Sequence, residues 1–276
     1  MNSRPTTQLG SACLSCLAAL ASAGAGAAEP AATDARAIMA AVYAQDGSRD
    51  TVASASFEIT DGDGHQSQKK FIYRRLGAPD NRRTMVVFTD PEDVRGVALL
   101  SITKAGAPAA QYMYVPATGR VRSVAPQQQS ARFLGTDLTF EDIQDHQLED
   151  FSYRLLGSGE MTDGHRTYEI EARPVSAATS QYGLIRYWVA QDMPVIIRTE
   201  MFDQQGIEVR VRHAGEIGRV AGIWGARNTE IRTVREGTRT LLRIHEIRFN
   251  TGLAEQQFTP EALEALPAQG AGSRVH

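Results

Sequence analysis

Asp137, Glu141 and Asp142 are the densest acidic residues beside a turn in this chain, and paired carboxylates are the groups with which acid–base chemistry is done. Their spacing has a simpler use. Thr139 and Asp142 stand three residues apart, as in a capping box, while Glu141 and Asp142 would put negative charge at the positive end of a helix dipole. Capping accounts for two of these three acids, so no catalytic residue is assigned and the chain is not read as an enzyme. The six histidines, His65, His146, His165, His213, His245 and His276, never fall at i, i+4 on one helix, and no metal site is expected. No serine sits in a nucleophile elbow and no glycine-rich phosphate loop occurs, so no cofactor is expected either.

The same stretch, Phe133 to Ile143, is where strand-like alternation stops. Gly135 lets the chain reverse without strain. Thr139 to Gln147 then reads as a short helix. Phe133, Leu134, Leu138 and Phe140 are left as an apolar cluster that must cover something or be covered, as a movable lid or as permanent core.

The elements that position this stretch are mostly strands. A helix is expected at Thr33 to Tyr43, capped by Thr33 or Asp34, and another at Pro260 to Leu266. Period-two alternation marks strands at Val52 to Thr60, Lys69 to Leu76, Arg83 to Phe88, Val94 to Thr103, Gln111 to Val115 and Arg120 to Val124. After the central stretch it marks Phe151 to Leu156, Arg166 to Arg173, Leu184 to Val189, Val195 to Phe202, Ile207 to His213, Arg227 to Arg235 and Thr238 to Phe249. Short joints such as Asp61-Gly62-Asp63-Gly64, Asp163-Gly164 and Glu236-Gly237 argue for an antiparallel meander, because parallel pairs need long crossovers. Val209-Arg210-Val211-Arg212 reads as one polar and one apolar face, with arginines toward water. Met85-Val86-Val87-Phe88 and Val97-Ala98-Leu99-Leu100 are apolar on both faces. A sheet apolar on one whole side needs a cover or a guest. The expected fold class is therefore mainly β: a strongly curved antiparallel sheet, partly plugged by a few short helices.

Of the 276 residues 42% are hydrophobic, enough for one large β domain, expected over 29–276. Residues 1–28 differ: Arg4 is their only charge, an apolar run covers Leu14 to Ala23, and Ala25-Gly26-Ala27-Ala28 supplies a small-residue cleavage site. They read as a signal peptide removed near Ala28, too short in its apolar run to span a bilayer. Gly10-Ser11-Ala12 before Cys13 faintly resembles a lipid-attachment box, but such a box follows the apolar run and this one precedes it. Cys13 and Cys16 both leave with the signal, so the exported chain would have no disulfide or thiolate site. Without Arg4, 28 basic residues face 32 acidic ones and no basic block stands out, so no nucleic-acid partner is expected.

Phe133-Leu134-Gly135-Thr136-Asp137-Leu138-Thr139-Phe140-Glu141-Asp142 resembles the Phe-Met-Gly-Ser-Asp-Phe-Ser-Tyr-Glu-Asp signature of the outer membrane lipoprotein-sorting protein family, relatives of the periplasmic carrier LolA. Further blocks are similar and in order. They are Phe88 to Leu100, Tyr112-Met113-Tyr114-Val115-Pro116 followed by Gly119-Arg120-Val121-Arg122, and Phe258-Thr259 before a helix. The likeness covers about Ile38 to Leu266. It implies a half-open, LolA/LolB-like β-barrel with a helical lid, a monomer in the periplasm. Its cargo would be an acyl-chain lipid or lipoprotein, and an inner-membrane RND/MMPL-type transporter its partner. Under this resemblance Phe133, Leu134, Leu138 and Phe140, with Phe71, Tyr73, Tyr112, Tyr114 and Trp188, are candidates for the lipid-binding cavity or lid. A buried sheet tryptophan is the plainer reading of Trp188. Gly135, Thr136, Asp137, Glu141 and Asp142, with Arg120 and Arg122 on one side of their strand, are candidates for motif or partner docking, solvated arginines being the plainer reading of the last two. A lipid-sensing regulator, or a structural envelope protein without cargo, is the alternative.

Overall fold

The computed structural model describes residues 34–177 and 180–266. The expected signal peptide and both cysteines lie outside the described residues. The chain enters through α1 (Ala35–Ala44), whose first turn is capped by the Asp34 carboxylate accepting from the Arg36 amide at 2.9 Å. Six strands follow: β1 (Asp50–Thr60), β2 (Gln66–Leu76), β3 (Asn81–Asp90), β4 (Ala98–Lys104), β5 (Ala107–Val115) and β6 (Arg120–Ser123). After a crossing segment, 124–150, come β7 (Phe151–Thr162), β8 (His165–Pro174), β9 (Tyr182–Ala190), β10 (Ile196–Asp203), β11 (Glu208–Val220), β12 (Ile223–Thr233) and β13 (Thr238–Phe249). The described chain ends with α2 (Pro260–Glu264), capped by Thr259.

Among the described residues these strands form one curved, open antiparallel sheet in the order β6-β5-β4-β3-β2-β1-β13-β12-β11-β10-β9-β8-β7. Each strand pairs with its neighbour in sequence except at the middle, where β1 pairs with β13 from Thr51–Phe249 to Thr60–Arg239. That pairing leaves β6 and β7 as the two free edges. The 124–150 segment joins them, so it must travel from one edge of the sheet to the other.

Its route decides which face is which. Val86, Phe88 and Leu99 meet Phe133 and Leu138 of the crossing segment on the concave face, while Met85, Ala98 and Leu100, one residue out of phase, pack outward against Phe258 and Leu263 beside and within α2. Covers on both sides explain why these strands are apolar on both faces. On the other half of the concave face, α1 inserts Met39 among Phe151, Ile170, Ile185 and Tyr187 of β7, β8 and β9.

Three expectations need correction. Thr139 to Gln147 is not one helix: a 3-10 turn at Glu141–Ile143 ends at Gln144, and a second follows at Leu148–Asp150. Residues 91–96 form a turn rather than the start of β4, with the Gly96 amide donating back to the Phe88 carbonyl at 2.9 Å. The β11–β12 hairpin is longer than expected, reaching Val220–Ile223, because Gly215, Gly218 and Gly225 interrupt the alternation without ending the ladder.

Candidate lipid-binding cavity

Thr136, Asp137 and Glu141 are buried, and they fasten the crossing segment to the sheet. The Asp137 carboxylate accepts hydroxyls of Thr233 (2.6 Å), Thr238 and Thr240 (2.7 Å) from β12 and β13, while its own amide donates to Thr240 Oγ1 at 2.8 Å. Arg132 adds a cation 3.4 Å away. A buried carboxylate is costly unless its charge and lone pairs are met, and here they are. Thr136 donates to the Phe133 carbonyl at 2.7 Å, closing the turn in which Leu134 and Gly135 both take positive φ. Leu134 pays a backbone cost there that Gly135 does not.

The rest of the segment is tied to the other half of the sheet. Glu141 accepts from Ser180 Oγ at 2.5 Å and the Gln181 amide at 2.9 Å. Asp142 and Thr139 do make the capping box, with the Thr139 amide and hydroxyl donating to Asp142 at 2.7 and 2.8 Å. Asp142 also accepts from Tyr182 Oη at 2.7 Å and faces Arg210 at 3.9 Å. Asp145 binds Arg82 (3.1 Å) and Thr84 (2.7 Å) on β3. Anchored on both halves, the segment forms a wall across the concave face.

Between this wall and the sheet lies a cavity of about 450 Å³, within the roughly 300–1,000 Å³ typical of small-molecule sites. Its inner part is apolar. Ala53, Ala55 and Phe57 of β1 line it beside Phe71 of β2, Leu242 of β13 and Ile231 of β12, with Phe133 and Leu138 of the crossing segment closing it, and the two alanines present the smallest side chains of this row. Its other part is charged: Asp46, Asp142 and Asp145 with Arg75, Arg82 and Arg212. Tyr73 also lines it. Burial first, and then the nearby Asp145 charge, pushes its phenol up to about 12, so it stays neutral.

The cavity candidates divide. Phe71, Tyr73, Phe133 and Leu138 line it; Leu134 and Phe140 pack behind it in the same apolar cluster. Tyr112 and Tyr114 do not reach it: they lie on the outer face under α2, because Met113 takes the inward phase of β5. Trp188 likewise points outward, out of phase with inward Tyr187, with Arg198 stacked on its ring at 5.1 Å. Arg120 and Arg122 are exposed on edge strand β6 and share a groove of about 280 Å³ with Phe140. Gly135 is exposed as well, whereas the buried acids have no surface to offer a partner.

Arg210 and Arg212 reverse the expectation for their strand. They point inward, Arg210 being buried and donating to Tyr182 Oη at 2.6 Å. Alternation alone tells which residues share a face, not which face is concave. Asp61, Asp63 and His65 approach one another in the exposed β1–β2 turn, within reach of a shared ion. Turn chemistry explains their approach, since Asp61 accepts from the Asp63 and His65 amides at 3.0 and 2.9 Å and lies 3.1 Å from the His65 ring.

A family model with the description "Uncharacterized protein" matches residues 80–265, more than half of the chain. The chain belongs to that family. The fold of this family member is that of LolA-like, outer membrane lipoprotein-sorting proteins. A domain provisionally described as that of an outer membrane lipoprotein-sorting protein from Vibrio parahaemolyticus superposes with a TM-score of 0.79 at 22% identity, covering 83% of this chain and 98% of that one. A DUF1329 family protein from Desulfovibrio piger gives 0.79 at 25% identity, covering 83% and 97%. The LolA superfamily protein NE2245 from Nitrosomonas europaea gives 0.68 at 17%, covering 84% and 100%. No curated protein matches the family member's sequence.

Proposed function

We propose that the protein is a periplasmic carrier that takes an acyl chain of a lipid or lipoprotein into the cavity beneath the crossing segment. One observation carries this reading: a space of about 450 Å³ on the concave face of a LolA-like sheet, whose apolar part is lined by Ala53, Ala55, Phe57 and Phe71. Burying hydrocarbon is worth roughly 0.8 kcal/mol per CH₂, so a long chain gains on the order of 10 kcal/mol before ordering costs. Such a guest would be shielded from water between membranes, as a chaperone shields its client. The same proposal includes passage of the guest between an inner-membrane RND/MMPL-type transporter and the outer membrane, with exposed Arg120 and Arg122 offered for docking. The reading assigns no catalytic step.

Export, gentle purification, native mass spectrometry and lipid extraction test it. The carrier retains a stoichiometric amphiphile. A cavity that comes away empty, and stays empty when acyl lipids are added, would leave a structural envelope protein instead.

A further inference from the structure

Three acids and three arginines stand on the cavity wall, and their pairing is uneven. Asp46 is met by Arg75 at 2.8 Å, Asp145 by Arg82 at 3.1 Å, and Asp142 by Arg210 at 3.9 Å, an arginine that does not itself line the space. Arg212 is the cation left over. No ion pair or hydrogen bond engages its side chain among the described residues, and its buried Nε has no partner. Directly opposite it on β10 stands Thr199, whose buried Oγ1 is unpartnered too. Directly opposite residues share a face, so the spare cation on the cavity wall has a spare hydroxyl beside it, buried one strand further from the space. The next residue in the row, Tyr187, supplies no counter-charge: burial, and then Tyr43, push its phenol far above neutrality.

We infer that Arg212, with Thr199 beside it, receives the anionic head of the amphiphile whose tail occupies the cavity. The inference rests on the carrier reading and narrows it to an anionic amphiphile, a carboxylate or a phosphate ester. A guanidinium left without a partner at the edge of an apolar space is costly until an anion meets it, and an anion supplies the charge-assisted hydrogen bonds that guanidinium geometry favours. A neutral head leaves the cost in place.

Tail-matched probes test this on the full-length protein: dodecanoate, dodecyl phosphate and dodecanol, titrated below their aggregation limits. At least one anion binds about tenfold or more tighter than dodecanol, the size of one charged hydrogen bond. The preferred anion tells carboxylate from phosphate. Arg212→Gln abolishes that preference while dodecanol binds as before, and Arg212→Lys keeps part of it. Equal binding of all three probes to the wild type overturns the anion site and leaves the acyl carrier standing. Loss of dodecanol binding in Arg212→Gln makes Arg212 a structural residue and also overturns it. Binding of none of the three overturns the carrier reading with it.

Discussion

Asp50 shows how much a single buried acid does outside the cavity. It sits at the start of β1 and accepts from the Thr251 amide and hydroxyl at 2.6 and 2.7 Å and from the Gly252 amide at 3.1 Å, fixing the chain beyond β13 against its neighbour strand. Burial raises its pKa, but the bonds from Thr251 and Gly252 outweigh burial, and the folded value lies below the ordinary 3.8. A carboxyl depressed on folding stabilises fully above its unfolded pKa, and that contribution is lost as pH falls through the folded value. Urea midpoints should therefore drop between about pH 5 and pH 2, and the drop should be smaller in Asp50→Asn. Equal pH dependence in the two proteins would remove Asp50 from this role. At this scale the sequence is only half readable. The Thr139–Asp142 capping box was visible from spacing, whereas Asp137 meeting three threonines from distant strands was not, because nothing local encodes a partner about a hundred residues away.

Among elements, the strands were the readable part and the crossing segment the unreadable one. Most of the thirteen strands follow from alternation and turn residues, since a half-buried strand has to show period two, while β3 and β4, covered on both faces, are short apolar runs between turns. The segment between β6 and β7 has no period, and its conformation is set by what it crosses. Its 3-10 turn stops at Ile143 because Asp145 is drawn to Arg82 and Thr84, a tertiary pull stronger than the helix signal. The distinction between lid and wall is measurable here. The Phe133, Thr136, Asp137 and Thr139 amides all donate to partners within the segment or on β13, so hydrogen exchange there should be as slow as in the central strands. Asp137→Ala leaves three hydroxyls and Arg132 facing a void, and should cost about 3 kcal/mol while speeding exchange throughout 133–142. Fast exchange in the wild type would instead make the segment a lid.

At the scale of the whole molecule, the proposed function depends on a sheet that curves without closing. Pairing β1 with β13 puts both ends of the described chain's strands at the centre and leaves open edges at β6 and β7, so the connection between those edges is what walls the space. The strong curvature was expected from many strands and few helices, but the size of the space was beyond the reach of pattern, because alternation cannot tell alanines that leave room from alanines that pack. Ala55 decides between those two uses. It is buried on β1 and lines the cavity, so Ala55→Leu places side-chain volume where the tail would lie. Filling an existing space should leave the unliganded melting temperature unchanged or slightly raised, since no packed neighbour has to move. The liganded protein should behave oppositely. Wild type should gain stability with added acyl probe, about 2.7 kcal/mol at a hundredfold excess over Kd, by linkage alone. Ala55→Leu should lose most of that gain and bind dodecanol on the order of tenfold more weakly. If the substituted protein melts several degrees lower and still binds as before, Ala55 packs rather than makes room, and the tail lies elsewhere on the concave face.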